Sequence, residues 1–315
     1  MAKRKPKKRL TPAEKNFEFM SGVVKQFDEL KYMLLDAQTF DPDHYGFPDF
    51  YYEIMETDQL RVDAFRNAFK GYKNLKGKIV CEVGVGTLAL TKHYMPYVKK
   101  AYLIESNPRV IPFIKRQIKK HGWADKVVLI HGDALKTELP QKVDYIIGEL
   151  MSIFCANELQ VQIFKHMRQF LKRGGKLLPE KIINLAQLGY ASFDAPHKHY
   201  PIFFTRHLPE IFTTQEVINT IDLYKEEELK IERTNLYTPL ISGTINCVYL
   251  NSWIQVAEGS NFTGTDSLMP PTVVKLTKPL KVKAGQTLEL TSKYSYGTSL
   301  NKAKFSLSVK RKGRK

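Results

Sequence analysis

Short apolar runs alternate with longer amphipathic segments between residues 78 and 178. The runs predict strands at 78–83, 101–105, 127–131 and 143–148, and another that begins at 176. The segments between them predict helices at 87–95, 109–121 and 158–171, with Gly174-Gly175 breaking the last of these. Apolar strands that alternate with helices are typical of a parallel sheet covered on both faces.

The pattern changes at about Pro179, where β-branched and aromatic runs separated by turn residues begin, among them TINCVYLNSWIQV and TLELTSKYSY. This pattern predicts an antiparallel sandwich or barrel-like domain. Near the start, Thr11-Pro12-Ala13-Glu14 predicts the cap of a helix over 11–37, and a second helix is expected over about 48–72. The expected organisation is a basic tail and helix (1–47), an α/β domain (48–179), a β domain (180–308) and a basic tail (309–315).

The net charge of +17 over 315 residues lies largely in the two tails. Residues 1–10 hold six Lys or Arg and residues 309–315 hold five, without any acid, which leaves 38 basic against 32 acidic residues elsewhere. Such tails are usually solvated. They are also suited to a salt-sensitive contact with nucleic acid, or to serve as localisation signals.

Three cysteines occur, widely spaced along the chain. An odd number at such spacing argues against a disulfide framework or a zinc cluster, so no metal site is expected and a reducing cytoplasm or nucleus fits. No stretch approaches the ~20 apolar residues of a membrane span. The charged N-terminus lacks the apolar core of a secretory signal.

A glycine turn follows the first strand of the α/β pattern, in the order Glu82, Gly84 and Gly86. Glycines there let the backbone approach a bound ligand closely. Glu105 ends the second strand about 20 residues on, where an acid is suited to hold two ribose hydroxyls. Asp133 follows the third strand, where a carboxylate could accept from an adenine amino group. The ordered set resembles the S-adenosyl-L-methionine site of class I methyltransferases, and the absence of a further glycine disfavours NAD.

Glu149 and Glu158 bracket a short apolar loop, GELMSIFCANE, directly after the fourth strand. In sheets of this kind the ligand crevice lies beyond the carboxyl ends of the strands. Two acids in that position predict a pocket for a cation beside the cofactor. The alternative is the edge of a solvated loop, since glutamate is usually exposed.

Four segments in order and spacing resemble the protein arginine methyltransferase family: FYYEIMETDQLRVDAFRNAF, the glycine turn, YLIESNP and GELMSIFCANE. The match covers roughly residues 48–180, and the β domain stands where that family carries its barrel. The resemblance implies a Rossmann-like methyltransferase sheet followed by an antiparallel β-barrel-like domain. It also implies S-adenosyl-L-methionine as cofactor, an arginine-containing protein as substrate, and a homodimer as an assembly to test.

Carried over by position, Arg61 matches the arginine that binds the carboxylate of the cofactor. Met55 and Asp58 match residues of the same helix that flank the reacting arginine. Tyr51, Met55, Asp58 and Arg61 also fall at i, i+4, i+7 and i+10, which would place them on one helical face. The alternative is that Tyr51 and Met55 are core residues and that Asp58 and Arg61 form a surface pair.

The chain departs from the family at three places. The family's barrel carries a Thr-His-Trp loop that enters the active site, whereas the corresponding stretch here, Ser267 to Thr272, has neither histidine nor tryptophan. Asp58, the usual partner of that histidine, is expected to lack it. Leu88 stands in place of the third glycine of the cofactor turn, and Leu135 in place of an acid beyond the third strand.

Two carboxylates suit arginine because they can take a planar guanidinium in paired hydrogen bonds. Glu149 and Glu158 are therefore predicted to clamp the substrate arginine, with one of them accepting its proton. The predicted activity is methyl transfer to a guanidinium nitrogen. The alternatives are a class I methyltransferase acting on RNA or a small molecule, and a catalytically degenerate regulatory partner of an active enzyme.

Overall fold

The computed structural model describes residues 55–71, 75–193, 198–202 and 208–310. The helix predicted over 11–37 and the start of the one predicted over 48–72 lie outside these residues. So do the basic tails, apart from residues 309–310.

The first part of the chain is an α/β unit whose five strands are parallel, in the order β3-β2-β1-β4-β5. Its elements are α1 (Gln59–Gly71), β1 (Ile79–Val83), α2 (Thr91–Tyr94), β2 (Lys100–Glu105), α3 (Ile111–Lys120), β3 (Val127–His131), β4 (Val143–Gly148), a 3-10 turn (Ile153–Cys155), α4 (Gln160–Met167), a second 3-10 turn (Arg168–Phe170) and β5 (Leu171–Leu178). The predicted fold class is confirmed. The carboxyl ends of β1, β2 and β4 therefore meet at one edge of the sheet.

The buried faces follow the sequence pattern. Every residue of β2 after Lys100 is buried, as expected for a central strand of a covered parallel sheet. Helix α3 buries Ile111 and Ile114 against the sheet. Its basic residues point outward, so the helix is amphipathic with the period of 3.6 that the sequence predicted.

The region around Gly174-Gly175 differs from the prediction. The helix ends at Met167 in a 3-10 turn, and β5 already begins at Leu171, so the two glycines lie inside a strand. Gly174 has φ +74°, and the pairing of β4 with β5 shifts register between Val143 and Tyr145. Glycine here permits a bulge within the strand, and does not separate two elements.

The second part of the chain consists of antiparallel sheets. The strands are β6 (Lys181–Tyr190), β7 (His199–Pro201), β8 (Glu210–Ile211), β9 (Glu216–Asp222), β10 (Lys230–Tyr237), β11 (Gly243–Ala257), β12 (Ser260–Thr263), β13 (Thr272–Val282), β14 (Leu288–Ser295) and β15 (Lys304–Val309), with a 3-10 turn at Leu300–Lys302. One sheet has the order β7-β13-β11-β6-β8, with β12 on β11 and β9 on β6, and the other has the order β10-β14-β15. These antiparallel sheets confirm the β domain that the sequence pattern predicted after Pro179.

The two parts share one continuous apolar core. At their junction the ring of Phe65 on α1 lies 6.5 Å from that of Phe262 on β12. The β domain therefore packs against the edge of the α/β unit where the predicted site lies.

Candidate active site

The glycine turn after β1 is built for close approach. The amide of Gly84 donates to Ile104 O at 2.9 Å, which joins the turn to β2. Gly84 and Gly86 have φ of +68° and +48°, in the left-handed region that favours glycine. A Cβ on Gly84 would lie 2.5 Å from Leu150 Cδ2. Both glycines thus hold a backbone conformation that residues with a Cβ adopt only at a cost.

Leu88, which replaces the third glycine of the family turn, adopts φ +68° and is buried. This backbone conformation costs a residue with a Cβ about 1 kcal/mol or more. The turn therefore keeps the shape that a glycine would give it, and the leucine side chain adds to the core.

Glu105 closes the turn from the end of β2. Its Oε2 accepts from Gly86 N at 2.9 Å and its Oε1 accepts from Asn107 N at 2.8 Å. The side chain is buried. A carboxylate oxygen can accept two hydrogen bonds, so each oxygen can accept one more beyond these two. Its role in ribose binding stays a prediction, and its role in holding the turn is a finding that the sequence did not reveal.

Glu82 lies beneath the turn, inside the core. Its Oε2 accepts from Thr91 Oγ1 and from Tyr94 Oη, both at 2.6 Å. Burial raises the pKa of this carboxyl to about 7, against the lowering effect of the two hydroxyl donors. These contacts support α2 from within, and a contact of Glu82 with a cofactor stays a prediction.

Asp133 lies on the exposed turn after β3. Its Oδ1 accepts from Leu135 N at 2.9 Å, and Lys136 Nζ lies 3.8 Å from its Oδ2. The residue therefore organises its own turn, as aspartate often does. Its contact with an adenine also stays a prediction.

Helix α1 begins at Gln59, because Asp58 caps it. Asp58 Oδ1 accepts from Arg61 N at 3.3 Å, the position that an N-cap side chain takes. Met55 therefore precedes the cap and does not share a helical face with Arg61, so that prediction was wrong. The cap signal of an aspartate before an apolar periodic run was present in the sequence. Tyr51 lies outside the described residues.

The guanidinium of Arg61 nevertheless contacts both Met55 and Asp58. Its Nη2 donates to Met55 O at 2.7 Å, its Nε lies 3.4 Å from Asp58 Oδ2, and its Nη1 lies 2.8 Å from Glu149 Oε2. Arg61 and Asp58 are buried and Glu149 nearly so. Three predicted site residues, Met55, Asp58 and Glu149, thus come together around the guanidinium of a fourth.

Glu158 completes the glutamate pair. Burial raises its pKa to about 8, with the negative charge of Glu149 adding to the effect and Arg61 opposing it. Burial also raises the pKa of Glu149, while the ion pair with Arg61 holds it down. The charge of Glu149 acts on Glu158 and that of Arg61 acts on both carboxyls, so the two glutamates lie near one guanidinium in buried surroundings.

The glutamate loop, residues 149–158, has an unusual backbone. Phe154 and Cys155 are consecutive non-glycine residues with φ of +62° and +49°. The β domain holds both: Phe154 N donates to Ser252 Oγ at 3.0 Å, and Gly297 N donates to Cys155 O at 2.8 Å. Sequence reasoning missed Ser252. The signal for it was the Asn251-Ser252 step, two adjacent polar residues in a strand whose other polar residues stand singly.

The loop before β13 also reaches the site. Leu268 N donates to Asp58 Oδ2 at 2.7 Å, across 210 positions of sequence. The histidine of the family is absent, and a backbone amide supplies Asp58 with the donor that the histidine would have given. Because the donor is a backbone amide, the identity of the Leu268 side chain could not have revealed this contact.

The net positive charge between the two tails is concentrated on α3 and the segments that flank it. Residues 99–126 hold eight Lys or Arg against two acids, a net charge of +6, which equals the net charge of all residues from 11 to 308. The exposed face of α3 carries Lys115, Arg116, Lys119 and Lys120. Within the described residues, none of these four has a salt bridge.

All three cysteines are free and buried. Among the residues that the structure describes, no helix is long and apolar enough to cross a membrane. The same residues contain no group of three or more histidine, cysteine or acidic side chains that could hold a metal.

Comparison with known proteins identifies the family. A family model described as PRMT5 arginine-N-methyltransferase matches residues 24–178. Protein arginine N-methyltransferase 1 of Saccharomyces cerevisiae is 34% identical over 150 residues, which cover 46% of this chain and 42% of that protein. The chain belongs to the protein arginine methyltransferase family. Members of this family are S-adenosylmethionine-dependent methyltransferases, and the paired glutamates lie within the matched segment.

Other relatives extend the similarity beyond the α/β unit. An uncharacterized protein of Methanocaldococcus jannaschii is 26% identical over 264 residues, covering 82% of this chain and 97% of that protein. The chain thus spans nearly all of the archaeal relative and less than half of the yeast methyltransferase.

Solved structures of the family share the fold. The structure described as the Trypanosoma brucei PRMT1 enzyme-prozyme heterotetrameric complex with AdoHcy has a TM-score of 0.67 at 18% identity, covering 84% of this chain and 93% of that one. Protein arginine methyltransferase 10 of Arabidopsis thaliana has a TM-score of 0.64 at 16% identity, covering 82% and 89%. At these identities the likeness concerns the fold alone.

Proposed function

We propose that the protein transfers a methyl group from S-adenosylmethionine to a guanidinium nitrogen of arginine in a protein substrate. One observation carries the proposal: the site already holds a guanidinium, that of Arg61, 2.8 Å from Glu149. Glu158 stands at the other end of the same loop, and burial raises the pKa of its carboxyl to about 8. A pair of carboxylates matches the geometry and charge of arginine better than that of a neutral acceptor.

The residues of the turn fit the cofactor. Gly84 and Gly86 bring the backbone close without side chains, and each oxygen of Glu105 can accept one more hydrogen bond beyond its bond to the backbone. Two ribose hydroxyls need such a bidentate acceptor. When bound, the cofactor supplies an electrophilic methyl group on a sulfonium sulfur.

The role of the glutamate pair is to bind and orient. A guanidinium is a poor nucleophile while its charge is delocalised, and two carboxylates on its N–H edges localise that charge away from the reacting nitrogen. When the new N–C bond forms, that nitrogen loses a proton. Glu158 is the proposed acceptor, because its raised pKa makes its carboxylate the stronger base and Arg61 binds Glu149 instead.

Arg61 has a proposed role in cofactor binding. All three of its guanidinium nitrogens now contact protein acceptors, on Met55, Asp58 and Glu149. We propose that the contact with Glu149 is exchanged for the carboxylate of the cofactor. Glu149 is then released to bind the substrate.

Transfer of label tests the proposal. The protein is incubated with methyl-labelled cofactor and an arginine-rich peptide, and in parallel with the same peptide carrying lysine for arginine. The expected result is label in the arginine peptide alone, recovered as methylarginine after hydrolysis. Glu138→Gln, a change at an exposed glutamate of the same domain, serves as the control that keeps activity. Label in neither peptide, from a protein that binds the cofactor, would contradict an arginine acceptor.

A second candidate is transfer to a nucleic acid, favoured by the concentration of charge on residues 99–126 and in the tails. A neutral base has no need of two anions, so the glutamate pair argues against it. In the same assay with a cell extract, label that is released by nuclease and not by protease would favour this candidate.

A third candidate is a degenerate partner that supports an active enzyme. The solved relative from T. brucei is described as a complex of enzyme and prozyme. Retention of both Glu149 and Glu158 favours an active enzyme here. Assembly with a second copy of the chain, and a cytoplasmic or nuclear location, also remain part of the proposal.

A further inference from the structure

A buried polar network lies in the β domain directly behind the glutamate loop. Ser252 Oγ accepts from Phe154 N at 3.0 Å and donates to Asn184 Oδ1 at 2.8 Å. Asn184 Nδ2 in turn donates to Asn219 Oδ1 at 3.1 Å. Ser252 and Asn184 are fully buried.

Two tyrosines extend the network and return it to the loop. Tyr294 Oη donates to Asn219 Oδ1 at 2.7 Å, and Asn219 Nδ2 donates to Tyr296 Oη at 2.6 Å. The ring of Tyr294 lies 5.3 Å from that of Phe154. The network therefore touches Phe154 at its amide and at its ring.

Such a network is costly unless every member is satisfied, because polar groups in the core lose their hydration. Apolar side chains would have packed the same space at lower cost. The two left-handed residues that it supports, Phe154 and Cys155, also need surroundings that over-determine their backbone. The buried network and the left-handed backbone each cost free energy, and the hydrogen bond from Phe154 to Ser252 joins them. This indicates a function that depends on the shape of the loop.

The loop shape sets the geometry of the glutamate pair. Phe154 stands five positions after Glu149 and four before Glu158, so its backbone decides where the two carboxyls lie relative to each other. We propose that Ser252 is a positioning residue for catalysis: through the amide of Phe154 it holds Glu149 and Glu158 at the separation that a substrate guanidinium requires. This inference rests on the proposed function for its catalytic readout.

The test compares two deletions of a buried hydroxyl. Ser252→Ala leaves Phe154 N and Asn184 Oδ1 unpaired. Ser292→Ala is the matched control, since Ser292 is also fully buried in the β domain and its Oγ has no hydrogen-bond partner among the described residues. Ser252→Ala is expected to lower kcat about 10–100-fold, the scale that a displacement of about 1 Å produces. The KM for the cofactor should stay within about 2-fold in both variants, since neither serine belongs to the glycine turn.

Hydrogen exchange of residues 149–158 gives a readout that does not depend on activity. Exchange should rise in Ser252→Ala and not in Ser292→Ala, and Tyr296→Phe should give a smaller rise, because it removes a hydroxyl further along the network. If Ser252→Ala does not fold, Tyr296→Phe carries the test alone. A wild-type protein without arginine transfer would end the proposed function, while the exchange result would still judge the positioning role. Equal exchange and equal kcat in Ser252→Ala and Ser292→Ala would overturn the inference.

Discussion

Replacing Glu105 by alanine is expected to weaken both the fold and the binding of cofactor. The same carboxylate accepts the backbone amides of the turn and is proposed to accept the ribose hydroxyls. Its oxygens accept from the buried amides of Gly86 and Asn107 at 2.9 and 2.8 Å. A buried donor left unpaired costs about 1–3 kcal/mol, so the free energy of unfolding should fall by about 2–6 kcal/mol. Two lost ribose hydrogen bonds of about 1.5–3 kcal/mol each predict a drop in affinity of about 10²–10⁴-fold.

Two assays separate these effects. Urea unfolding of the ligand-free protein measures the first, and calorimetry with the demethylated cofactor product measures the second. Glu105→Gln keeps one carbonyl oxygen, so its free energy of unfolding should fall about half as much as that of Glu105→Ala. Glu138→Ala is the exposed control. An unchanged free energy of unfolding in Glu105→Ala would show that the hydrogen bonds from the turn to Glu105 do not stabilise the fold. Unchanged affinity would place the cofactor elsewhere.

Three further predictions concern other groups. Glu149→Gln and Glu158→Gln should each reduce kcat by about 10²–10³ or more without weakening the binding of the cofactor. The double variant should lose no more than either alone, since the pair acts as a unit, and steady-state kinetics decides this. Glu82 has a pKa raised from 4.5 to about 7, so its contribution to stability, about 3 kcal/mol, is complete below pH 4.5 and lost as the pH rises through about 7. The free energy of unfolding measured with urea should therefore fall less steeply between pH 5 and pH 8 in Glu82→Gln than in the wild-type protein. Deleting residues 1–10 and 311–315 spares β15 and should leave cofactor binding intact. Any affinity for single-stranded RNA that keeps its salt dependence after the deletion would assign that contact to the folded body.

The α/β pattern could be predicted from sequence because burial on both faces leaves an unbroken apolar run, as in residues 101–104 of β2. The strand-end position of Glu105 followed from the same pattern. Gly174-Gly175 misled the prediction, because glycine marks either the end of an element or a bulge inside one, and sequence alone does not separate the two.

The site could be predicted only in part, because its contacts join distant positions and backbone atoms. Asp58 meets Leu268 through a backbone amide, and Phe154 meets Ser252 across 98 positions. Leu88 keeps a left-handed backbone that its side chain gives no reason to expect. Glu149 and Glu158, by contrast, were visible as two acids at the carboxyl end of a buried strand.

A structure of the protein with the demethylated cofactor product and an arginine peptide tests the central claim most directly. The measured quantities are the distances from the peptide guanidinium to the carboxyls of Glu149 and Glu158, and from Arg61 to the carboxylate of the cofactor. The account predicts hydrogen-bond distances for all three, with Arg61 turned from Glu149 to the cofactor. A peptide arginine bound outside the glutamate pair, with Arg61 still paired to Glu149, would contradict it.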